Sequence, residues 1–318
     1  MSDLTDRPGI ASIATAASDD HAGRFRALSS QEWTWRQAQF AGADEEDVQA
    51  QLADHLPRVD AATQSLRERC WTDVLNQLDA IPVDALHRDE QVSYLVYRNQ
   101  VETLLADQRF RTWQMPFNSD TSFWANLGFT ARRPLRNVAD YRRYIGLLRD
   151  IPRYFDEQIA NMRAGLARGF SVPRAALAGR DQAIAAVVDA RGVDSLFYTP
   201  FRQMPANMPA DEQARLRAAG LAAIHDAVAP AHARLLDFMR NVYMKQARDS
   251  LAAEAMPDGE AFYRAQVRKF TTLDISPDAI HALGLREVAR LRAEMEQTIH
   301  ATGFKGSFAG LLHYLRTD

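Results

Sequence analysis

The amino-acid sequence predicts an all-α protein, a large irregular helical bundle, and three observations lead to this prediction. Apolar residues recur at helical spacing through most of the 318 residues. The 15 glycines and 13 prolines fall mostly between the periodic segments, where helices are expected to end. Convincing period-two strand patterns are hard to find. No repeat of roughly 30–45 residues stands out either, so a solenoid is disfavoured.

The predicted helices, in chain order, cover residues 57–80, 88–110, 138–149, 154–168, 171–190, 209–247, 259–270, 276–300 and 307–315. Pro57 suits a first helical turn, where its missing N–H is not needed. Asp89 and Glu90 favour the start of the second helix because they face its positive dipole end. The apolar face predicted for that helix consists of Val92, Leu95, Val96, Val101, Leu104 and Leu105.

Caps and breakers define the later helices. Asn137 is a predicted N-cap, and Pro152 is expected to separate two helices. Gly169 is the predicted terminator of the second of these. Pro230 lies inside the long segment 209–247 and predicts a kink or two abutting helices there. Ser276 is a predicted N-cap of a helix with one apolar face, made of Ile280, Leu283, Val288, Leu291 and Met295.

Two aromatic, proline-bearing segments, 112–130 and 193–209, fall outside this helical pattern. Both are too apolar for ordinary solvated loops. They are therefore expected either to line a cleft or to pack as loops onto the core.

Residues 1–22 are predicted to be a flexible leader, and residues 23–318 a single helical lobe, with 191–210 as the candidate point of subdivision. The leader starts with acidic residues and has only a brief apolar patch, whereas a signal peptide has a basic start and a longer apolar region. No apolar run reaches the roughly 18 residues needed to span a bilayer. We therefore expect a cytoplasmic location and no membrane partner.

Composition excludes several classes of function. The formal net charge is −3 and charged residues make up 25% of the chain, so we expect no nucleic-acid partner. The single cysteine, Cys70, excludes an internal disulfide framework and a cysteine-rich zinc site.

Known catalytic motifs are not found. None of the eight histidines forms the pair, one turn apart, that a helical zinc hydrolase needs. His225 and His232 come closest, seven residues apart, and we interpret them as ordinary helical histidines. Glu287, Glu294 and His300 could suggest a carboxylate–histidine site, but their alternation with an apolar stripe is typical of a solvated helix face.

The segment 257–295 carries a combination of residues that is specific as an ensemble: Pro257-Asp258-Gly259, Phe262-Tyr263, Thr271-Thr272, Pro277, Ile280-His281, Gly284-Leu285 and Glu287-Val288. It resembles the central segment of the bacterial domain-of-unknown-function 885 family, a group regarded as zinc metallopeptidases. Stretches 137–174, 195–201 and 303–318 fit the same family. The likeness runs from about residue 25 to the end of the chain.

The resemblance implies a large, mainly helical, two-lobed peptidase about twice as long as this chain. In that family the C-terminal half carries a His-Glu-x-x-x-Gly-His-like motif that binds zinc, and these 318 residues contain no such motif. The implied role is a non-catalytic helical lobe that forms one wall of a channel for short peptides. Phe117, Trp124 and Tyr198 are the candidates for lining it. We assign no catalytic residue, metal ligand or cofactor to this chain, and zinc is implied only for the other half.

An alternative from a different class is a standalone all-helical binding or scaffold protein, or a degenerate remnant without enzymatic activity. A lobe without its counterpart is expected to expose apolar surface and to self-associate. Reading the gene beyond codon 318 would separate the two hypotheses, because a His-Glu-x-x-x-Gly-His helix there favours the lobe and a stop codon favours the standalone protein.

Overall fold

The computed structural model describes residues 20–40 and 52–317, and within these ranges the chain is mostly helical and contains no β-strand. The predicted all-α fold class is confirmed. The helices are α1 (His21–Gln39), α2 (Ala61–Asp79), α3 (Arg88–Arg109), α4 (Phe123–Thr130), α5 (Val138–Ala167), α6 (Gln182–Asp189), α7 (Thr199–Arg202), α8 (Ala210–Ala223), α9 (Ala229–Phe238), α10 (Met244–Gln246), α11 (Gly259–Thr271), α12 (Pro277–Ala301) and α13 (Phe308–Thr317). The predicted leader, residues 1–22, lies outside the described residues except for its last three.

A buried carboxylate ties the first three helices together. Glu32 of α1 has no solvent exposure. Its carboxylate accepts hydrogen bonds from Trp71 Nε1 of α2 at 3.0 Å and from Tyr97 Oη of α3 at 3.1 Å. Arg36 Nη2 donates a third, at 2.7 Å. Because a buried charge is costly unless it is paired and hydrogen-bonded, these donors fix how α1 sits on its neighbours.

Two details of α2 and α3 differ from the predictions. Helix α2 begins at Ala61, and Pro57 is not part of it, because the Asp60 side chain accepts a hydrogen bond from the Thr63 N–H at 2.9 Å and caps the helix there. Helix α3 has nearly its predicted bounds. However, three residues of its predicted apolar face are more than half exposed, namely Val92, Leu95 and Val96. The other three residues of the predicted face do pack inward: Val101 is fully buried, and Leu104 and Leu105 pack against the core, which Tyr94 of the same helix also joins.

A single helix, α5, replaces the two helices predicted on either side of Pro152, so the predicted break is wrong. Proline removes one backbone hydrogen bond from the helix. The apolar stripe nevertheless continues past it, with Ile151 and Phe155 both fully buried, and this burial offsets the lost bond. The N-cap is as predicted, since Asn137 Oδ1 accepts a hydrogen bond from the Asp140 N–H at 3.0 Å.

The predicted helix 171–190 is mostly a loop, and only α6 in its second half is α-helical. The Ser171 hydroxyl does not cap a helix but accepts a hydrogen bond from the Arg248 N–H at 3.1 Å. Gly179, at φ +78°, then turns the chain in the left-handed conformation that glycine adopts readily.

The segment 209–247, in which Pro230 was predicted to cause a kink or to separate two abutting helices, consists of α8, α9 and α10. Two π-helical turns, Ile224–Val228 and Met239–Tyr243, separate them. Pro230 lies in the first turn of α9, immediately after the first π-helical turn. The disturbance therefore takes the form of two helices joined by a wider turn.

The segment 193–209 packs onto the main core, which is built around α5 and α9. Tyr144 Oη of α5 donates a hydrogen bond to the Phe197 carbonyl at 2.9 Å. Tyr141 Oη donates one to the Pro200 carbonyl at 2.8 Å. These two tyrosines hold the segment in place while its aromatic side chains are buried.

The chain divides into two compact units, of which the first ends at Gly259 and the second begins at Glu260. Residues 191–210 lie within the first unit. The second unit holds α12, α13 and nearly all of α11. Ser276 caps α12 as predicted, since its Oγ accepts a hydrogen bond from the Ala279 N–H at 3.2 Å.

One face of α12 carries large apolar side chains in solvent. Val288, Leu291 and Met295, which we call the α12 stripe, are 66%, 47% and 44% exposed. Their spacing of three and four residues places them on one side of the helix. An amphipathic helix ordinarily buries such a face, so the stripe has the character of a surface for contact.

Candidate functional site

Helix α4 separates two cavities in the first unit. Phe123, Asn126, Leu127 and Thr130 line one cavity. Trp124, Ala125, Gly128 and Phe129, with Arg132 just after the helix, line the other. Residues three and four apart share a helix face, so a single short helix provides a wall to both cavities.

The turn before α4 is fixed by its own hydrogen bonds. Asn118 Oδ1 accepts from the N–H groups of Asp120 and Thr121, at 2.7 and 2.8 Å. Ser122 Oγ then accepts from the Ala125 N–H at 3.4 Å at the start of the helix. This is the chemistry of an Asx turn followed by an N-cap, and it sets where α4 begins.

The first cavity, which we call the polar cavity, has a volume of about 260 Å³. The buried apolar residues of its lining are Leu56, Phe123, Leu127 and Leu147. Gln158 Nε2 donates a hydrogen bond to Tyr154 Oη at 3.1 Å on the same wall. Burial raises the pKa of Tyr154, so its phenol stays protonated at neutral pH. The side-chain amide of Asn126 is exposed and lines the cavity.

An ion pair anchors another wall of the polar cavity, the short segment 55–57. Asp150 accepts a hydrogen bond from the Leu56 N–H at 2.8 Å, and Arg153 Nη2 donates to the Leu56 carbonyl at 2.7 Å. Burial alone would raise the pKa of Asp150, but the hydrogen bonds from Arg153 and Leu56 hold it below its usual value. The carboxylate therefore stays charged and keeps this wall fixed to α5.

The second cavity, which we call the histidine cavity, has a volume of about 220 Å³. Its aromatic and aliphatic lining consists of Trp124, Phe129, Val187, Leu196 and Phe197. Trp124 and Phe197 are buried, whereas Phe129 and Arg132 are exposed. Arg132 is the one charged residue in the lining, and polar atoms also come from the imidazole of His232 and the indole N–H of Trp124.

His232 is completely buried. Its Nδ1 lies 2.8 Å from the Val228 carbonyl, which can only accept, so Nδ1 carries the proton. Nε2 is then a bare acceptor, and it has no hydrogen-bond partner in the described part of the chain. The ring packs against Phe155 and Phe197, with centroids 4.8 and 5.7 Å away. Burial lowers the pKa of His232 to about 4, so the ring is neutral at physiological pH.

The three residues predicted to line a channel lie in different surroundings. Trp124 lines the histidine cavity. Phe117 is buried with its ring centroid 5.1 Å from that of Trp124, and it lines neither cavity. Tyr198 is buried too and stacks on Phe201, with centroids 5.4 Å apart. The structure therefore brings Phe117 and Trp124 together, and a channel-lining role for the three residues stays a prediction.

Comparison with protein families decides the classification. The model of the family described as "Bacterial protein of unknown function (DUF885)" matches residues 36–318, which is most of the chain. The chain belongs to the DUF885 family. This match confirms the family that the segment 257–295 was predicted to represent.

Among solved structures, this DUF885 chain is similar to one described as "the putative lipoprotein from Colwellia psychrerythraea". The two share 16% identity with a TM-score of 0.73, over 93% of this chain and 54% of the other. At this identity the likeness concerns the fold alone, and this chain spans about half the length of that structure. The search of curated proteins found no match to this chain. No helix within the described ranges is long and apolar enough to cross a membrane, and a cytoplasmic location stays a prediction.

Candidate metal ligands do not converge in the described parts of this DUF885 chain, where no three His, Cys, Asp or Glu side chains are grouped. His225 is exposed beside Asp226, whereas His232 is buried on its own helix. Glu287 and Glu294 both form ion pairs with Arg290 on the helix surface, which agrees with their interpretation as a solvated face.

Two residues that line the cavities, His232 and Asn126, were not predicted from the sequence to belong to a site. His232 was interpreted as an ordinary helical histidine. The sequence did contain an indication of its burial. Val228 lies four residues before His232, Ala231 one residue before it and Leu235 three residues after it, and this helical spacing of apolar residues places His232 on the buried face. Asn126 gives no such signal, since one asparagine in an aromatic segment does not reveal which neighbours it will meet.

Proposed function

We propose that this chain is the non-catalytic helical lobe of a zinc-metallopeptidase-like protein, and that its polar cavity forms part of a wall that binds short peptides. Membership of the DUF885 family and the fold shared with a chain of nearly twice the length support the lobe. The observation that carries the peptide-binding role is the exposed amide of Asn126, which lines the cavity beside the buried apolar side chains of Phe123 and Leu127.

The polar cavity offers the two kinds of contact that a short peptide needs. The Asn126 amide can donate to a backbone carbonyl and accept from a backbone N–H. Phe123 and Leu127 supply an apolar surface for one side chain. A volume of about 260 Å³ suits one side chain with its adjoining peptide unit, so the cavity would select one residue of the peptide and leave the rest unbound.

Catalysis would belong to the zinc-bearing half of such a protein. There, a bound zinc would supply Lewis-acid chemistry for peptide hydrolysis, and a glutamate would serve as the general base. The described residues of this chain do not provide a fitting set of ligands, so no step of hydrolysis is assigned to them. Their proposed contribution is to hold the peptide and to keep it in register.

Activity measurements test the lobe proposal. The 318-residue chain would be incubated with a dipeptide library, with and without added zinc, and the products measured. A parallel thermal-shift titration with zinc would report binding of the metal. We expect no hydrolysis above the buffer control and no zinc-dependent stabilisation. Hydrolysis that a chelator abolishes would overturn the assignment of this chain as non-catalytic.

Peptide binding is tested separately, by saturation-transfer NMR with the same dipeptide library. Asn126→Ala should weaken binding by about two- to tenfold, since one neutral hydrogen bond contributes roughly 0.5–1.5 kcal/mol. Asn76→Ala is the matched control, because Asn76 is an exposed asparagine of α2 that does not line the cavity. Equal losses in both variants, or no binding by the unaltered chain, would count against the role of the polar cavity.

The α12 stripe favours a second candidate, a standalone binding or scaffold protein that associates with a second copy of itself. Sedimentation velocity of Val288→Lys/Met295→Lys tests this, with Ala282→Lys/Ala289→Lys as a control that adds two lysines off the stripe. Self-association that the first pair abolishes and the second keeps would place the contact between two copies on the stripe, which this candidate requires. A monomer at high concentration in the unaltered chain would refute it.

A further inference from the structure

Apart from His232, the polar side chains that line the histidine cavity are hydrogen-bond donors. They are the Arg132 guanidinium and the Trp124 indole, whose N–H groups donate and cannot accept. The His232 imidazole is fully buried, so it closes the cavity without offering an occupant an accessible nitrogen. A polar contact between these side chains and an occupant therefore requires an acceptor atom on the occupant.

The wall formed by Leu196 and Phe197 contributes apolar side chains to the cavity. The two backbone carbonyls of this wall are engaged within the fold, because Leu196 accepts a hydrogen bond from Thr199 Oγ1 at 2.6 Å and Phe197 accepts one from Tyr144 Oη at 2.9 Å. Val187 of α6 adds a third apolar side chain to the lining. An occupant therefore meets apolar surface on this side of the cavity and hydrogen-bond donors on the side of α4.

The charged donor lies at the open end of the cavity. Phe129 is 52% exposed and Arg132 is exposed too, whereas Trp124 and Phe197 are buried. The Arg132 guanidinium lies 6.0 Å from the centre of the Phe129 ring, so the two side chains form one rim. Since Arg132 is the one charged residue in the lining, the rim attracts a negative group and disfavours a positive one.

The volume of the cavity limits the apolar part of an occupant. An apolar cavity of roughly 150 Å³ holds benzene, so the histidine cavity, at about 220 Å³, holds one ring or a branched carbon chain with part of the group attached to it. Gly128 of α4 helps to set this width, since a Cβ atom there would lie only 3.2 Å from Leu196 Cδ2. The fitting occupant has an apolar body inside the cavity and an acceptor at the rim.

We propose that the histidine cavity binds a small carboxylic acid, whose ring or branched carbon chain fills the space while its carboxylate binds Arg132. A carboxylate suits a guanidinium because the two form paired, charge-assisted hydrogen bonds. The site is separate from the proposed peptide site, since the polar cavity lies on the other face of α4. A free acid and the C-terminal residue of a peptide share this chemistry, and the experiment below separates them.

Calorimetric titration of the full chain with phenylacetate, phenylacetamide and 2-phenylethylamine tests the proposal, because the three probes share one ring and differ in the charge of the end group. We expect saturable binding of one phenylacetate per chain. The amide should bind about three- to tenfold more weakly, the effect of a partly exposed charge-assisted hydrogen bond, and the amine more weakly still. Equal affinities for the acid and the amine, or no saturable binding of phenylacetate at millimolar concentrations, would overturn the proposal.

Two arginine variants test the contact with the carboxylate. Arg132→Gln removes the charge and should lower the affinity for phenylacetate to that for phenylacetamide. Arg136→Gln is the matched control, because Arg136 is an exposed arginine four residues later that does not line the cavity. It should leave the affinity unchanged. Equal losses in the two variants would mean that only the general positive charge of this surface acts, and would overturn the assigned contact.

Two valine variants place the probe in the cavity. Val187→Phe fills the space and should abolish binding of phenylacetate. Val188→Phe adds the same ring at the next position of α6, which does not line the cavity, and should leave binding intact. Circular dichroism melting confirms that each variant is folded. Unchanged affinity in Val187→Phe would place the probe elsewhere and overturn the assignment.

The source of the acid is separated by a last comparison, between phenylacetate and N-acetylphenylalanine. Tighter binding of N-acetylphenylalanine would identify the C-terminal residue of a peptide, and weaker binding a free acid. In both cases the carboxylate should be required, so N-acetylphenylalaninamide should bind more weakly than N-acetylphenylalanine. Tighter binding of this amide than of its acid would contradict the role of Arg132.

Discussion

Acid should destabilise this protein in part through His232, and the size of the effect follows from its burial. The pKa of His232 is about 4 in the folded chain, because burial disfavours the charged ring, against 6.5 for an unperturbed histidine. Between these values the unfolded chain binds the proton and the folded chain does not. Stability is therefore full above pH 6.5 and is lost as the pH falls towards 4. For these two values, linkage gives a loss of about 2.5 kcal/mol at pH 4.5.

Urea denaturation at pH 7 and pH 4.5, for the unaltered chain and for His232→Leu, measures this loss. Leucine removes the titrating group but keeps an apolar side chain of similar volume. We expect the free energy of unfolding to fall by about 2.5 kcal/mol more in the unaltered chain. Carboxylates with lowered pKa values, such as those of Asp60 and Asp150, also stabilise the folded chain less at pH 4.5 than at pH 7. They are present in both proteins, so their effect cancels in the comparison. Equal losses would refute the reasoning, and the exposed His225 provides a control in His225→Leu.

Three further predictions concern stability and are measured by urea denaturation at pH 7. Glu32→Ala leaves the buried donors and the Arg36 guanidinium without their carboxylate and should lower the free energy of unfolding by about 3–5 kcal/mol. Trp71→Phe removes only one donor to that carboxylate and should lower it by about 1.5–3 kcal/mol. A smaller effect for Glu32→Ala than for Trp71→Phe would contradict the network. Asn137→Ala removes the cap of α5 and should cost about 1 kcal/mol, and no measurable loss would show that the cap is dispensable. Gly220→Ala places a Cβ atom 2.5 Å from the Phe201 ring and should cost about 1–3 kcal/mol, unless the ring can move aside.

Local chemistry made several helix ends predictable from the sequence. The caps at Asn137 and Ser276 act within three residues, so no distant contact is needed to recognise them. Pro152 misled the prediction, because the energy that keeps α5 continuous comes from the core into which it packs. Ser171 misled it as well, because its hydroxyl bonds to Arg248, a residue 77 positions away.

The cavities were less predictable than the helices, for a physical reason. The aromatic segment 112–130 was recognised as unusual, but its two cavities depend on which elements meet the two faces of α4. Trp124 lines a cavity, whereas Phe117 and Tyr198 are packed among other rings. Composition alone does not distinguish these outcomes, since all three are aromatic residues in apolar segments. The local sequence pattern indicates that His232 lies on a buried face, but it does not indicate the histidine cavity that His232 lines.

The exposed apolar faces of α3 and α12 bear on the proposed function more directly than the cavities do. On both helices the spacing of apolar residues is that of a buried face, and on both the structure leaves part of that face in solvent. Val92 and Val96 of α3 are 58% and 65% exposed, and Val288 of α12 is 66% exposed. Fully burying a side chain of this size contributes about 1.5–3 kcal/mol, so covering several of them would provide a substantial driving force for contact. A lobe that joins a second body of polypeptide would use such faces, and so would a protein that pairs with a second copy of itself, whereas a chain that stays monomeric would gain from polar residues there. The apolar faces of α3 and α12, which the sequence pattern predicted to be buried, are thus the surfaces through which the proposed lobe would contact a second body of polypeptide.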